Sequence, residues 1–150
     1  MKIVKSSRHT GVVVKDLESS LAFYRDLLGL ELVARSFEKG PYIENVVGIP
    51  GAVVEWVKLK TPDGYIVELL QYHSHPDGSP HSEAARSNRL GCSHLAFTVT
   101  DIGALIGTLT RKGFRCNSEP QTSPDGKVRI VYAHDPDGTI LELVEEIQRS

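Results

Sequence analysis

Two carboxylates stand where a folded chain ordinarily places apolar side chains. In PDGYIVELLQ (62–71) and PDGTILELVE (136–145), a Pro-Asp-Gly turn leads into an apolar run, and a glutamate follows the proline by six positions, Glu68 and Glu142. A histidine lies upstream of each, His9 by 59 residues and His94 by 48. Alternate residues of a strand share a face. Glu68 therefore lies with Ile66 and Leu70, and Glu142 with Ile140 and Val144. His9 shares its face with Gly11 and Val13, and His94 with Ala96 and Thr98, small neighbours that leave room for a ligand. Any one of these four alone would read as an ordinary core or edge residue. An unpaired carboxylate in apolar surroundings costs on the order of several kcal/mol. Two such glutamates and two such histidines point to one shared partner, a divalent metal ion whose charge the two carboxylates cancel. Mixed N/O ligation suits Ni²⁺, Co²⁺, Zn²⁺, Mn²⁺ or Fe²⁺ with positions left for water or substrate. The absence of thiolate from the set argues against a structural zinc site.

The elements that must position these residues occur twice. RHTGVVVKDLESSLAFYRDLLGL (8–30) and SHLAFTVTDIGALIGTLTRKGF (93–114) each begin with the histidine and a short β-like run, Gly11–Val14 and Leu95–Val99. Seven residues after each histidine comes an aspartate suited to cap a helix, Asp16 and Asp101. Helical spacing follows, Leu17, Leu21, Tyr24 and Leu28 in one copy and Ile102, Leu105, Ile106 and Leu109 in the other. Gly29 and Gly113 then stand where a helix wants a left-handed residue. Residues 30–37 and 114–119 read as the next strands, then 52–60 and 127–133, and last the two glutamate strands. Each copy is thus β-α-β-β-β. The first copy is longer by a Gly/Pro-rich insertion, KGPYIENVVGIPG (39–51). Its Tyr42, Ile43, Val46, Val47 and Ile49 suit either a pocket lining or an interface, and Trp56 suits core or interface. The expected organisation is one domain over residues 1–150, with module one at 7–72, a linker at 73–90 carrying one short helical turn, and module two at 91–147.

Composition narrows the function classes. The 150 residues carry a net charge of −2, which offers no electrostatic footprint for nucleic acid or an anionic membrane. Nothing approaches eighteen consecutive apolar residues, and MKIVKSSRHT lacks the apolar core of a signal peptide. Cys92 and Cys116 form neither a CxxC pair nor a disulfide framework and read as core fillers. The expectation is a reduced, cytoplasmic protein. His73, His75 and His81 lie among Pro, Gly and Ser and read as surface loop, His134 as a turn residue, and Glu145 and Glu146 as a solvated strand end.

In HTGVVVKDLESSLAFYRDLLGLEL, PDGYIVELLQY, HLAFTVTDI and DPDGTILELVE the chain resembles the vicinal oxygen chelate superfamily, from about residue 7 to residue 146. Glyoxalase I, methylmalonyl-CoA epimerase, extradiol dioxygenases and the bleomycin and fosfomycin resistance proteins belong to it. The resemblance implies an α+β fold in which two tandem modules form a curved eight-stranded mixed sheet around a central cavity, usually in a homodimer. The site then lies within one chain or across two. In the glyoxalase and epimerase branch the ligand order is His, Glu or Gln, His, Glu, which falls here on His9, Glu68, His94 and Glu142. The implied activity is that of a lyase or isomerase that removes a proton next to a carbonyl or thioester through a metal-stabilised enediolate. Glu142 is then the base and Glu68 its counterpart, with Glu44 of the insertion an alternative base. Small bacterial glyoxalase I carries an arginine four residues after its first histidine and an asparagine four after its first glutamate, both serving glutathione. Val13 and Tyr72 occupy those places here. The 26-residue step from Glu68 to His94 resembles the epimerase, which usually has glutamine in place of Glu68. An extradiol-type dioxygenase, with two histidines and one glutamate, and a metal-free binding or resistance protein are the alternatives.

Overall fold

A computed structural model describes residues 3–78, 86–88 and 90–147. The chain divides into two compact units, Met1–Ser79 and Pro80–Ser150. In the first, β1 (Thr10–Val13), α1 (Leu17–Leu21), β2 (Glu31–Lys39), α2 (Pro41–Val47), β3 (Val53–Lys60) and β4 (Ile66–Tyr72) follow in order. In the second come β5 (His94–Thr98), α3 (Ile102–Arg111), β6 (Gln121–Thr122), β7 (Val128–His134) and β8 (Ile140–Glu146). Each unit holds one four-stranded mixed sheet, ordered β1-β4-β3-β2 and β5-β8-β7-β6. The first strand pairs parallel with the last, and the remaining pairs are antiparallel. This is the expected α+β duplication, with eight strands among the described residues.

One face of each sheet is apolar and covered by that unit's helix. Val12, Leu69 and Val57 form a buried row across β1, β4 and β3. Leu95, Leu141 and Ala133 form the corresponding row across β5, β8 and β7. Leu17 and Leu21 of α1, and Ile102, Ile106 and Leu109 of α3, are buried in the same two units, and α1 packs on β4 while α3 packs on β8. Each fully buried valine or leucine stabilises its unit by about 1.5–3 kcal/mol. Both helices start as expected: the Asp16 carboxylate accepts from Ser19 N at 2.7 Å and that of Asp101 from Ala104 N at 2.9 Å. Gly29 and Gly113 have φ of 81° and 83°, the left-handed region that favours glycine.

Several expectations are corrected. The first helix widens into a π-helical segment, Ala22–Leu27, with Leu28 N–H donating to Phe23 O at 3.0 Å. The wide turn lets the adjacent Phe23 and Tyr24 both turn inward, edge to face at 5.1 Å. The strand expected at 114–119 is reduced to a single bridge, Cys116 with Ala133, and pairing resumes only at β6. The chain bends at residues 117–119, ahead of Pro120, which has no N–H to give a ladder. The insertion folds as α2, with Pro41 at its start and a left-handed Gly48 at its end. Ile43, Val47 and Ile49 pack with Ala52, Val54, Leu70 and Tyr72, whereas Tyr42 and Val46 are exposed. Cys116 is half-buried and its thiol is pushed up by burial, but Cys92 is exposed and fills no core.

Glu145 is no idle strand end. Its carboxylate accepts from Ile102 N at the start of α3 and from Arg129, both at 3.2 Å. Gln71, three residues after Glu68 as Glu145 is after Glu142, accepts from Leu17 N at 2.8 Å in the first unit. Each last strand therefore caps its own module's helix. Glu146 is exposed, as expected. His134 closes β7 rather than lying in the turn. It is 4% exposed, donates from Nδ1 to Gly138 O at 3.2 Å and meets the Asn117 side chain through Nε2 at 2.7 Å. His81 lies outside the described residues, as do positions 79–85 and 89 of the linker expected to carry one short helical turn. Among the described residues no helix is long and apolar enough to cross a membrane.

At the end of the first sheet Glu55 joins His73 at 2.9 Å and Arg35 at 2.6 Å, and Arg35 reaches Glu18 of α1 at 2.9 Å. The His73 hydrogen bond first, and the Arg35 guanidinium second, hold the Glu55 carboxyl below the usual carboxylate range. A carboxyl lowered by folding adds stability that is present above its unfolded pKa and lost as pH falls through its folded one. Glu55→Gln should thus lower stability at neutral pH and flatten its loss below about pH 4, read by urea denaturation across a pH series. An unchanged acid limb in the variant would show that this carboxyl does not report folding.

Candidate metal centre

In the first unit His9 immediately precedes β1 and Glu68 is the third residue of β4. The two strands run parallel with Gly11 opposite Glu68, so His9 lies on the diagonal from the glutamate. In the second unit His94 opens β5, Glu142 is the third residue of β8, and Ala96 stands opposite Glu142. The two registers are the same. His9 Nε2 lies 2.6 Å from Glu68 Oε2, and His94 Nε2 lies 3.0 Å from Glu142 Oε2. The glutamate side chains are 13% and 21% exposed and both histidines 30%, so each pair is reachable without being fully hydrated.

The structure thus brings His9 to Glu68 and His94 to Glu142. Among the described residues no group of three or more His, Cys, Asp or Glu side chains gathers at one point. Each unit holds one His–Glu pair. Their chemistry fits a divalent ion: two ligands about 2.1 Å from an ion and at right angles lie about 3 Å apart. The 3.0 Å pair already has that separation, and the 2.6 Å pair needs to open by a few tenths. Ser93 Oγ hydrogen-bonds His94 Nδ1 at 2.5 Å, which orients the ring and leaves Nε2 for Glu142 or an ion.

The other candidates fall elsewhere. Glu44 is half-buried on α2. His73 belongs to the Glu55 cluster and lies against Phe37 at 5.5 Å, and His75 sits in the loop after β4 with φ 51°. Tyr72 packs against the insertion, whereas Val13 is 57% exposed. Trp56 is neither core nor unpaired: it is half-buried, donates from its indole N–H to Glu38 at 2.8 Å and carries the Lys58 ammonium over its ring at 4.8 Å. Lys58 and Tyr132 went unremarked in the sequence. They stand directly opposite Glu68 and Glu142 on β3 and β7, and the Tyr132 ring lies 5.1 Å from that of His94. Strand alternation alone could have placed them on the glutamate faces, but only the register names the neighbour.

The profile of the Glyoxalase/Bleomycin resistance protein/Dioxygenase superfamily matches residues 6–143. The chain belongs to that superfamily. Its fold is that of a solved glyoxalase family protein from Bacillus cereus, with a TM-score of 0.87 over 99% of each chain at 28% identity. Among curated superfamily relatives, the mitochondrial methylmalonyl-CoA epimerase of Mus musculus is 32% identical over 143 residues, covering 90% of this chain and 70% of that protein. The lactoylglutathione lyase of Schizosaccharomyces pombe is 29% identical over 143 residues, covering 92% of this chain but 46% of that longer protein.

His9→Ala removes the partner of a largely enclosed carboxylate and should destabilise the metal-free protein by about 1–2 kcal/mol. His94→Ala, which frees a more exposed glutamate from a longer contact, should cost less. Denaturant titration with a double-mutant cycle against Glu68→Gln and Glu142→Gln measures both couplings. A coupling of zero for His9 and Glu68 would mean that the pair does not form in solution.

Proposed function

We propose that the protein is a divalent-metal-dependent lyase or isomerase acting on a small carbonyl or thioester compound, with His9, Glu68, His94 and Glu142 as the four protein ligands of one ion. The observation that carries this reading is the repeated pair: the same diagonal His–Glu arrangement, on the same parallel strand pair, in both units. The relatives named as an epimerase and as a lyase support the reaction class. Bound there, the ion would act as a Lewis acid that stabilises the negative charge developing on the substrate oxygen.

The chain's own groups then handle the proton. Glu142 takes it from the carbon next to the carbonyl, as a carboxylate that becomes a carboxylic acid, and gives it back to the neighbouring carbon or to the opposite face. Glu142 suits this role better than Glu68 because its contact to histidine is longer and its side chain more exposed, 3.0 Å and 21% against 2.6 Å and 13%. Glu68 serves as the counterpart on the other side, and Ser93 keeps His94 oriented while Glu142 moves. Val13 and Tyr72, in the places where arginine and asparagine serve glutathione in the bacterial lyase, favour a substrate other than a glutathione adduct.

Metal-stripped protein should take up one equivalent of Ni²⁺, Co²⁺ or Mn²⁺, and free metal at a hundred times Kd should raise stability by about 2.7 kcal/mol. Substoichiometric uptake with no thermal shift would overturn the metal centre. In the loaded protein Glu142→Gln should slow deuterium exchange at the substrate's acidic carbon by about 10²–10⁴-fold, as read by NMR. Undiminished exchange would move the base elsewhere.

A further inference from the structure

The row across the middle of the first sheet reads Gly11, Glu68, Lys58, Ala34 over β1, β4, β3 and β2. Residues directly opposite share a face. Lys58 therefore rises beside Glu68 on the side that carries His9, and the flanking positions hold no side chain or only a methyl group. The Lys58 ammonium lies 4.8 Å over the Trp56 ring, and the indole is fixed in turn by its hydrogen bond to Glu38. Lys58 is half-buried, yet no ion pair is formed by it among the described residues, whereas Lys60 on the same strand pairs with Glu31 at 3.1 Å. An indole face attracts the cation but accepts none of its N–H groups as a carboxylate would.

The charge balance gives this lysine a purpose. Two glutamates cancel a divalent ion, so the Lys58 charge is left over beside the centre. Partly buried charges are held where something pairs with them. In the second unit the position opposite Glu142 is Tyr132, a phenol whose ring lies tilted at 39° to that of His94. The duplicated scaffold is thus cationic beside one glutamate and neutral beside the other.

We propose that Lys58 anchors a second, anionic group of the substrate, so that the protein takes an acidic carbonyl or thioester compound whose carboxylate lies a few bonds from the reacting carbon. The inference rests on the metal-centre reading and adds the substrate class to it. Adjacent strands are about 5 Å apart, and the lysine stem adds reach. A distal carboxylate two carbons beyond the carbonyl is therefore within its range.

The test uses two probes that differ only at the far end. 2-Oxoglutarate and 2-oxopentanoate share one head group and chain, with a carboxylate in the first where the second has a methyl group. Mn²⁺-loaded protein is titrated with each by calorimetry, and in parallel by the fluorescence of Trp56, the single tryptophan of the chain. The expected result is a preference for 2-oxoglutarate of about tenfold or more, with a change in Trp56 emission. Lys58→Arg should keep the preference. Lys58→Met, whose stem still covers the indole, should abolish it while Mn²⁺ remains bound. Retention of the preference in Lys58→Met, or its absence from the native protein with Mn²⁺ bound, would overturn the role of Lys58 alone. Failure of the native protein to bind Mn²⁺ would overturn the metal centre and this inference with it.

Discussion

Each unit depends on one constraint, the parallel pairing of its first strand with its last. A parallel pair cannot be joined by a tight turn, so the chain must cross over, and the helix that makes the crossing covers one face of the sheet. The other face is left uncovered by that helix. Parallel register then puts the residue before or at the start of the first strand on the diagonal from the third residue of the last. That diagonal carries His9 and Glu68 in one unit and His94 and Glu142 in the other. The same last strand reaches back to cap its helix, through Gln71 and through Glu145. A shift of one residue would turn each glutamate into the helix-covered core and lose the cap with it.

The two copies keep this frame and differ in what surrounds it. The first has lengthened the path between β2 and β3 into α2, which buries Ile43 against Ala52 and Val54 and draws in Leu70 and Tyr72. It has also set a lysine beside its glutamate and an indole beneath the lysine. The second keeps a shorter path, gives its sheet only a two-residue edge strand and places tyrosine beside its glutamate. Buried His134 and exposed Asn117 tie the start of its Asp-Pro-Asp-Gly turn to the segment after α3. These differences make two otherwise matching modules unequal around their glutamates, with Lys58 opposite one and Tyr132 opposite the other.

Much of the fold was legible because its signals are local. The caps at Asp16 and Asp101, the glycines at 29 and 113, the Pro-Asp-Gly turns and the alternation around Glu68 and Glu142 each act within a few residues. Their repetition made the duplication readable without any knowledge of packing. The histidines and glutamates were legible for the same reason, as a set that recurs. The features that escaped depend on neighbours distant in sequence. Glu145 looked like a solvated end until the start of α3 was found above it, and Cys92 looked like core until its surroundings proved open. The π-helical turn answers to the burial of two adjacent aromatic rings, which helical spacing does not anticipate.

The sequence by itself determined the repeat, the residue types of the two pairs and the strand faces they occupy, because period and turn chemistry are properties of short segments. Tertiary structure alone decided the register. Only the pairing of β4 with β1 on one side and β3 on the other sets His9 at 2.6 Å from Glu68 and puts Lys58 opposite it. Those partners are fixed by hydrogen bonds between strands whose separation along the chain carries no periodic signal.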